Sequence, residues 1–179
     1  MKRRMPAFKK SISRLNHNHQ KIFEKLDDLD AKLMYLFYEG KVNTKDTLKR
    51  IDVLMTFIKR RLKPHVAVEN ILFNFIEKHI PRVEMAVLLL KRDHEEIYEH
   101  LETMANLTHQ LLKDKDGPKR NYSFNELHQQ GVYLVQLMRN HLRMEDEMIF
   151  TLVDRRLNAD EKKALLKKMK TSSGWKHLN

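Results

Sequence analysis

Cysteine is absent from the 179 residues. That excludes disulfides, thiolate metal sites, cysteine-ligated iron–sulfur clusters and a cysteine nucleophile. Glycine and proline are scarce, with 4 of each, while Leu, Lys, Glu and Met, all good helix formers, are abundant. The composition therefore points to an all-α protein. Long hydrophobic runs are missing too. The strongest, residues 85–90, is far too short to span a membrane. The basic N-terminus, Met1 to Lys10, is followed by no apolar segment of the kind a secretory signal carries. A soluble, cytoplasmic protein with no membrane partner is expected. The length suits one domain with a real core.

Acidic residues are in deficit, 24 against 35 Lys and Arg, for a formal net charge of +11. A basic balance can signal a nucleic-acid or anionic-membrane partner. Here the basic residues are spread along every predicted helix and no nucleic-acid motif occurs, so the charge reads as a solvated surface.

The apolar residues that remain are ordered. Ile12, Leu15, Ile22, Leu26, Leu29 and Leu33 recur at the 3,4 spacing of one helix face. The polar member of that series is His19. Gly40 marks the end of this helix, and residues 40–44 read as a turn. A second stripe includes Ile51, Leu54, Ile58, His65, Glu69, Leu72 and Ile76, with Pro64 inside it predicting a kink. The helix should stop at His79-Ile80-Pro81, and Pro81 suits the first turn of a third helix. That helix carries Val87, Leu90, His94, Ile97, Leu101, Met104 and Leu111; its polar intruder is again a histidine. After a linker with Asp116-Gly117-Pro118 as a turn signal, Ser123 and Glu126 read as a capping box opening helix four. Its stripe is Leu127, Leu134, Met138, His141, Glu145, Met148 and Leu152. Asn158 and Glu161 form a second capping box before a short helix, and the tail from Thr171 is expected to be loose.

His65 with Glu69, and His141 with Glu145, share one spacing. Four residues of α-helix turn about 400° and rise about 6 Å, so each pair lies on one face. Imidazole and carboxylate are side chains that hold iron, manganese or zinc. A lone pair of this kind is also an ordinary surface contact. The rest of the chain changes that reading. His19, Ile22, Glu24 and Leu26 recur as His94, Ile97, Glu99 and Leu101, with Phe23 matched by Tyr98. The spacing from His19 to His65 nearly equals that from His94 to His141. The chain thus reads as two αα-hairpins. The midpoints between successive histidines fall at the predicted turns, so antiparallel helices bring all four to about one level, on core faces.

The predicted fold is an up-down-up-down antiparallel four-helix bundle over residues 11–157. A basic arm, residues 1–10, precedes it, and a short C-terminal helix and tail, residues 158–179, follow. Carboxylates buried without a partner are costly. Six ligands exceed what one tetrahedral zinc needs, whereas two metals bridged by two carboxylates fit the count. The alternative is a buried His–Glu hydrogen-bond network. Di-iron ferritin-like proteins use Glu-x-x-His, the reverse direction and a different spacing. No His-Glu-x-x-His zinc-protease motif is present.

These residues resemble the hemerythrin-like family, the HHE cation-binding domain, over roughly residues 10–157. The resemblance rests on the His19 and His94 helices and on the two His-x-x-x-Glu motifs with their trailing Leu72-Phe73 and Ile149-Phe150. It implies His19, His65, His94 and His141 as terminal ligands and Glu69 and Glu145 as bridges between two iron ions, with an oxo or hydroxo bridge. By the same resemblance, His19 and His65 would serve one iron, and His94 and His141 the other. The oxygen-carrying hemerythrins of marine invertebrates have a further histidine where this chain has Tyr98, so the site is more similar to six-ligand bacterial members. The cysteine-bearing N-terminal segment of the iron-centre repair proteins is missing. The resemblance implies a module that binds or senses O₂ or NO, or handles iron. Alternatives on the same residues are an enzyme decomposing peroxide or nitric oxide, and a basic helical interaction protein with a vestigial site and an unidentified protein partner. Iron as the metal comes from the resemblance; the ligand types also accept zinc or manganese. His17 is the nearest competitor to His19, and Tyr98 is a candidate donor beside the site.

Overall fold

The 3,4-spaced stripes become the buried faces of long helices. In the computed structural model, which describes residues 7–39, 44–113 and 118–178, α1 spans Ala7–Glu39, α2 Thr44–His79, α3 Glu84–Lys113 and α4 Pro118–Met144. A π-helical turn, Glu145–Ile149, leads into α5, Phe150–Arg156, and then come α6, Ala159–Thr171, and a 3₁₀ turn, Trp175–His177. No strand occurs among the described residues. The fold is an all-α helical bundle. The expected turn residues Gly40, Asp116 and Gly117 lie outside the described residues.

Two compact units share these helices. The first takes Met1–Lys21, Arg60–Arg92 and His141–Asn179, and the second Ile22–Lys59 and Asp93–Asn140. Each draws a segment from all four long helices. In the first, Leu15, Leu72, Phe73, Ile76, Val87, Leu90, Ile149, Val153, Leu165, Met169 and Leu178 make one buried cluster. In the second, Leu26, Leu29, Leu33, Ile51, Ile58, Ile97, Met104, Leu127 and Met138 are fully buried. Arg139 on α4 there donates to Asp27 at 2.6 Å and to Asp30 at 3.1 Å on α1.

Element boundaries depart from the sequence pattern in instructive ways. Helix α1 begins at Ala7, and Phe8 is already buried in the first unit's core. Helix α3 starts at Glu84 rather than Pro81, because Arg82 adopts a left-handed φ of 65° that a right-handed helix cannot contain. Helix α4 starts at Pro118, where the missing N–H costs nothing, and Ser123 lies buried inside the helix instead of capping it. The second capping box is present. Asn158 accepts from Asp160 and Glu161, and its own N–H donates to the Glu161 carboxylate at 2.8 Å.

The stripe on α4 also slips. Met148 is exposed, while Ile149, Phe150 and Val153 are buried. The cause is the π turn: the Phe150 N–H donates to the Glu145 carbonyl, five residues back instead of four. One extra residue in the turn moves the buried face from position 148 to 149, and Val153 joins it while Leu152, half-buried, packs against the same core.

The C-terminal segment is packed. Leu178 is fully buried, and the Arg14 guanidinium lies 5.0 Å from the centre of the Trp175 ring. Helix α2 runs on through Pro64, and the tail docks there. A Cβ at Gly174 would overlap the Pro64 carbonyl oxygen and come within 3.2 Å of the Ala67 Cβ. In the second unit a Cβ at Gly131 would overlap the end of the Leu33 side chain. The two glycines differ in what must give way. Backbone cannot move locally, whereas a leucine can change rotamer, and alanine gains about 1 kcal/mol of helix propensity over glycine. Gly174→Ala is therefore expected to destabilise by about 1–3 kcal/mol, and Gly131→Ala by clearly less. Urea unfolding of the two variants beside the parent protein checks the order.

Candidate metal centre

Helix period places His65 and Glu69 one turn apart on α2, aimed inward among apolar neighbours. Both are fully buried, as are His19 on α1 and Glu145 at the head of the π turn, and His141 on α4 is 1% exposed. All five belong to the first unit. The Nε2 atoms of His19 and His65 face each other at 2.7 Å. The Glu69 carboxylate contacts His65 Nε2 and lies 3.3 Å from His19 Nε2 through Oε1. Glu145 brings Oε2 to 3.4 Å from His19 Nε2 and Oε1 to 3.5 Å from His141 Nε2. His19, His65, Glu69 and Glu145 each offer a ligand atom within 4.8 Å of the others, and so do Glu69, His141 and Glu145 among themselves.

This donor set fits a metal. Nitrogen and carboxylate oxygen lone pairs converge on one small volume inside an apolar core. Carboxylates removed from water there need positive charge to offset the lost hydration. Iron, manganese and zinc all accept imidazole with carboxylate, and no thiolate competes. Each glutamate reaches two histidines, Glu69 those at positions 19 and 65 and Glu145 those at positions 19 and 141.

His94, the sixth expected ligand, is 4% exposed on α3 and belongs to the second unit, two residues beyond Arg92, where the first unit ends on that helix. His17 is exposed, which removes it as a competitor to His19. Tyr98 is half-buried in the second unit. His79 donates from Nδ1 to the Phe75 carbonyl at 2.7 Å near the end of α2. His100 pairs with Gln130 at 2.6 Å, and His109 lies 3.3 Å from Asp52. These three are accounted for by local bonding.

One residue at the site escapes an α-helical reading of the sequence. Asp146 holds the outer ring nitrogen of His19, with Oδ1 2.8 Å from Nδ1. On a plain α-helix it would sit well off the His141–Glu145 face. It stands at the head of the π turn, one residue past Glu145, and meets the His19 ring on the nitrogen opposite to the one that faces Glu145. The acidic doublet Glu145-Asp146 was the visible signal, and the turn that uses it was not. Burial opposes charge on the His19 ring, but hydrogen bonds to Asp146 and Glu69 and the charges of both carboxylates outweigh it and push its pKa up to about 9. A metal at Nε2 would compete with that proton.

No helix among the described residues is long and apolar enough to cross a membrane. Comparison with curated proteins returns no match. Comparison with protein families matches residues 10–153 to hemerythrin, described as the hemerythrin HHE cation binding domain. The match takes in α1 from residue 10, the other three long helices and every residue of the His–Glu cluster, and the chain belongs to the hemerythrin HHE cation-binding family.

Proposed function

We propose that this metal-binding protein carries a non-haem di-iron centre that binds or senses a small diatomic molecule, O₂ or NO. The observation that carries the reading is the pair of fully buried carboxylates, Glu69 and Glu145, each within reach of two imidazole nitrogens. In this reading Glu69 and Glu145 bridge two irons. His19 and His65 serve one, and His141 serves the other. His94 completes the second set on the family's pattern. Such a centre would supply an open coordination position and redox chemistry. The chain supplies the dry, shaped cavity around it. Leu72, Phe73 and Ile149 pack beside the ligand-bearing turns and exclude water, which strengthens each charge–dipole contact inside. Tyr98, standing where the oxygen carriers have a further histidine, leaves one metal with fewer protein ligands. That favours binding or sensing over plain oxygen carriage.

Protein isolated without chelator is expected to hold about two metals per chain, since ligands buried together bind metal as part of folding. His65→Ala and His141→Ala should each lower metal content, and His94→Ala should lower it toward one. Elemental analysis of the purified variants reads this directly. Full metal content in the His65 and His141 variants would remove them as ligands.

Stripping the metal should lower the melting temperature, because a ligand that binds only the folded state stabilises it by mass action. A chelator titration followed by circular dichroism tests this, and an unchanged melting temperature counts against a structural role for the metal.

Added NO should shift the near-ultraviolet absorption without continuous turnover. Sustained consumption of NO or H₂O₂ in a steady-state assay would instead establish the enzymatic alternative on the same residues.

A further inference from the structure

We propose that Asp146 is the positioning residue of His19, fixing which ring nitrogen faces the metal and raising its donor strength. The inference rests on the metal-centre reading above and deepens it, because it assigns a role to a residue outside the six expected ligands.

The argument begins with bonding capacity. An ionised carboxylate only accepts hydrogen bonds, and a neutral imidazole has one N–H and one lone pair. With Asp146 Oδ1 2.8 Å from Nδ1, the proton of a neutral His19 sits on Nδ1. The lone pair then sits on Nε2, the atom that faces His65, Glu69 and Glu145. The other tautomer would turn a lone pair toward a carboxylate and a proton toward the metal. A carboxylate on the far nitrogen also pushes electron density through the ring and makes Nε2 a better ligand. Phe150 stacks on the same ring, with centroids 5.7 Å apart and planes 21° from parallel, so one face of the imidazole is held as well as its edge.

Two successive residues of one helix meet the two nitrogens of this ring. Glu145 and Asp146 are neighbours in sequence, yet Glu145 lies at Nε2 and Asp146 at Nδ1 of one histidine. Both stand at the head of the π turn. Asp146 also borders a surface cavity of about 500 Å³, with Phe8, Ile12, Asn16, Phe150 and Asp154 among its walls. Its side chain is 29% exposed, whereas His19 is fully buried. Replacing Asp146 therefore touches the rim of the core rather than its centre, and the consequence should show in metal affinity as well as in stability.

The test uses the full chain and Zn²⁺ in competition with a chromophoric chelator, followed by Co²⁺ substitution for its visible spectrum. Asp146→Asn keeps the shape and an acceptor oxygen but loses the charge. Asp146→Ala loses both, Asp146→Glu restores a carboxylate, and Asp154→Asn is a control on the same cavity, paired with Lys162 at 3.2 Å. Metal affinity is expected to fall roughly 10-fold in Asp146→Asn and up to about 100-fold in Asp146→Ala. Asp146→Glu should recover part of the loss, and Asp154→Asn should match the parent. The Co²⁺ bands should shift in Asp146→Asn and not in the control. If the parent protein binds metal and both Asp146→Asn and Asp146→Ala keep its affinity and spectrum, or if only their melting temperatures fall, the positioning role is overturned while the metal centre stands. If the parent protein takes up no metal, both readings fall together. Should Asp146→Ala not fold, the near-isosteric Asp146→Asn decides alone.

Discussion

Two carboxylates with no access to water are the constraint on which the rest of this structure turns. Glu69 and Glu145 are fully buried in the first unit, among residues such as Leu72, Phe73 and Ile149 that offer no hydrogen bonds from their side chains. Moving a carboxylate out of water without a partner costs several kcal/mol. The chain meets this with imidazoles from three helices and with space for convergent lone pairs, an arrangement that a cation completes. Family membership and chemistry agree here: a cation-binding domain is what such a core calls for.

The site depends on backbone as much as on side chains. On α2 the α-helical period suffices, since His65 and Glu69 are one turn apart and Pro64 does not interrupt the helix. On α4 it does not suffice. There the α-helical period carries His141 to Glu145, Asp146 follows onto the outer nitrogen of His19, and the π turn beyond shifts the buried face so that Ile149 replaces Met148 in the core. A π turn is rare inside an α-helix, and such turns are frequent at functional sites. Here it begins where one histidine has two carboxylate neighbours on opposite nitrogens.

The segments that carry the ligands are braced from outside. The backbone at Gly174 closes on the carbonyl of Pro64, the residue before His65. Leu178 and Met169 enter the same core as Phe150, which stacks on His19. A C-terminal stretch with no regular apolar period is thereby ordered by what it packs against. In the second unit, Arg139 bridging to Asp27 and Asp30 and the small Gly131 against Leu33 serve the pairing of α1 with α4.

The sequence by itself determined the helices, the buried stripes and the histidines and glutamates within them. Each of these follows from one local rule: the 3.6-residue period turns spacing into direction, and a polar residue on an apolar stripe must be buried with it. The fall of the predicted turns midway between histidines extended that rule to His19, His65 and His141, which the glutamates of the first unit bring together. Only the tertiary structure decided the rest. Whether α4 continues as an α-helix past Met144 depends on what Ile149 and Phe150 find to pack against, so the π turn, the burial of Ile149 in place of Met148 and the contact from Asp146 to His19 could not be read from period. Arg82 in a left-handed conformation, the start of α4 at Pro118 and the docked tail follow the same logic. A turn or a tail has no periodicity of its own, and its conformation is set by partners distant in sequence.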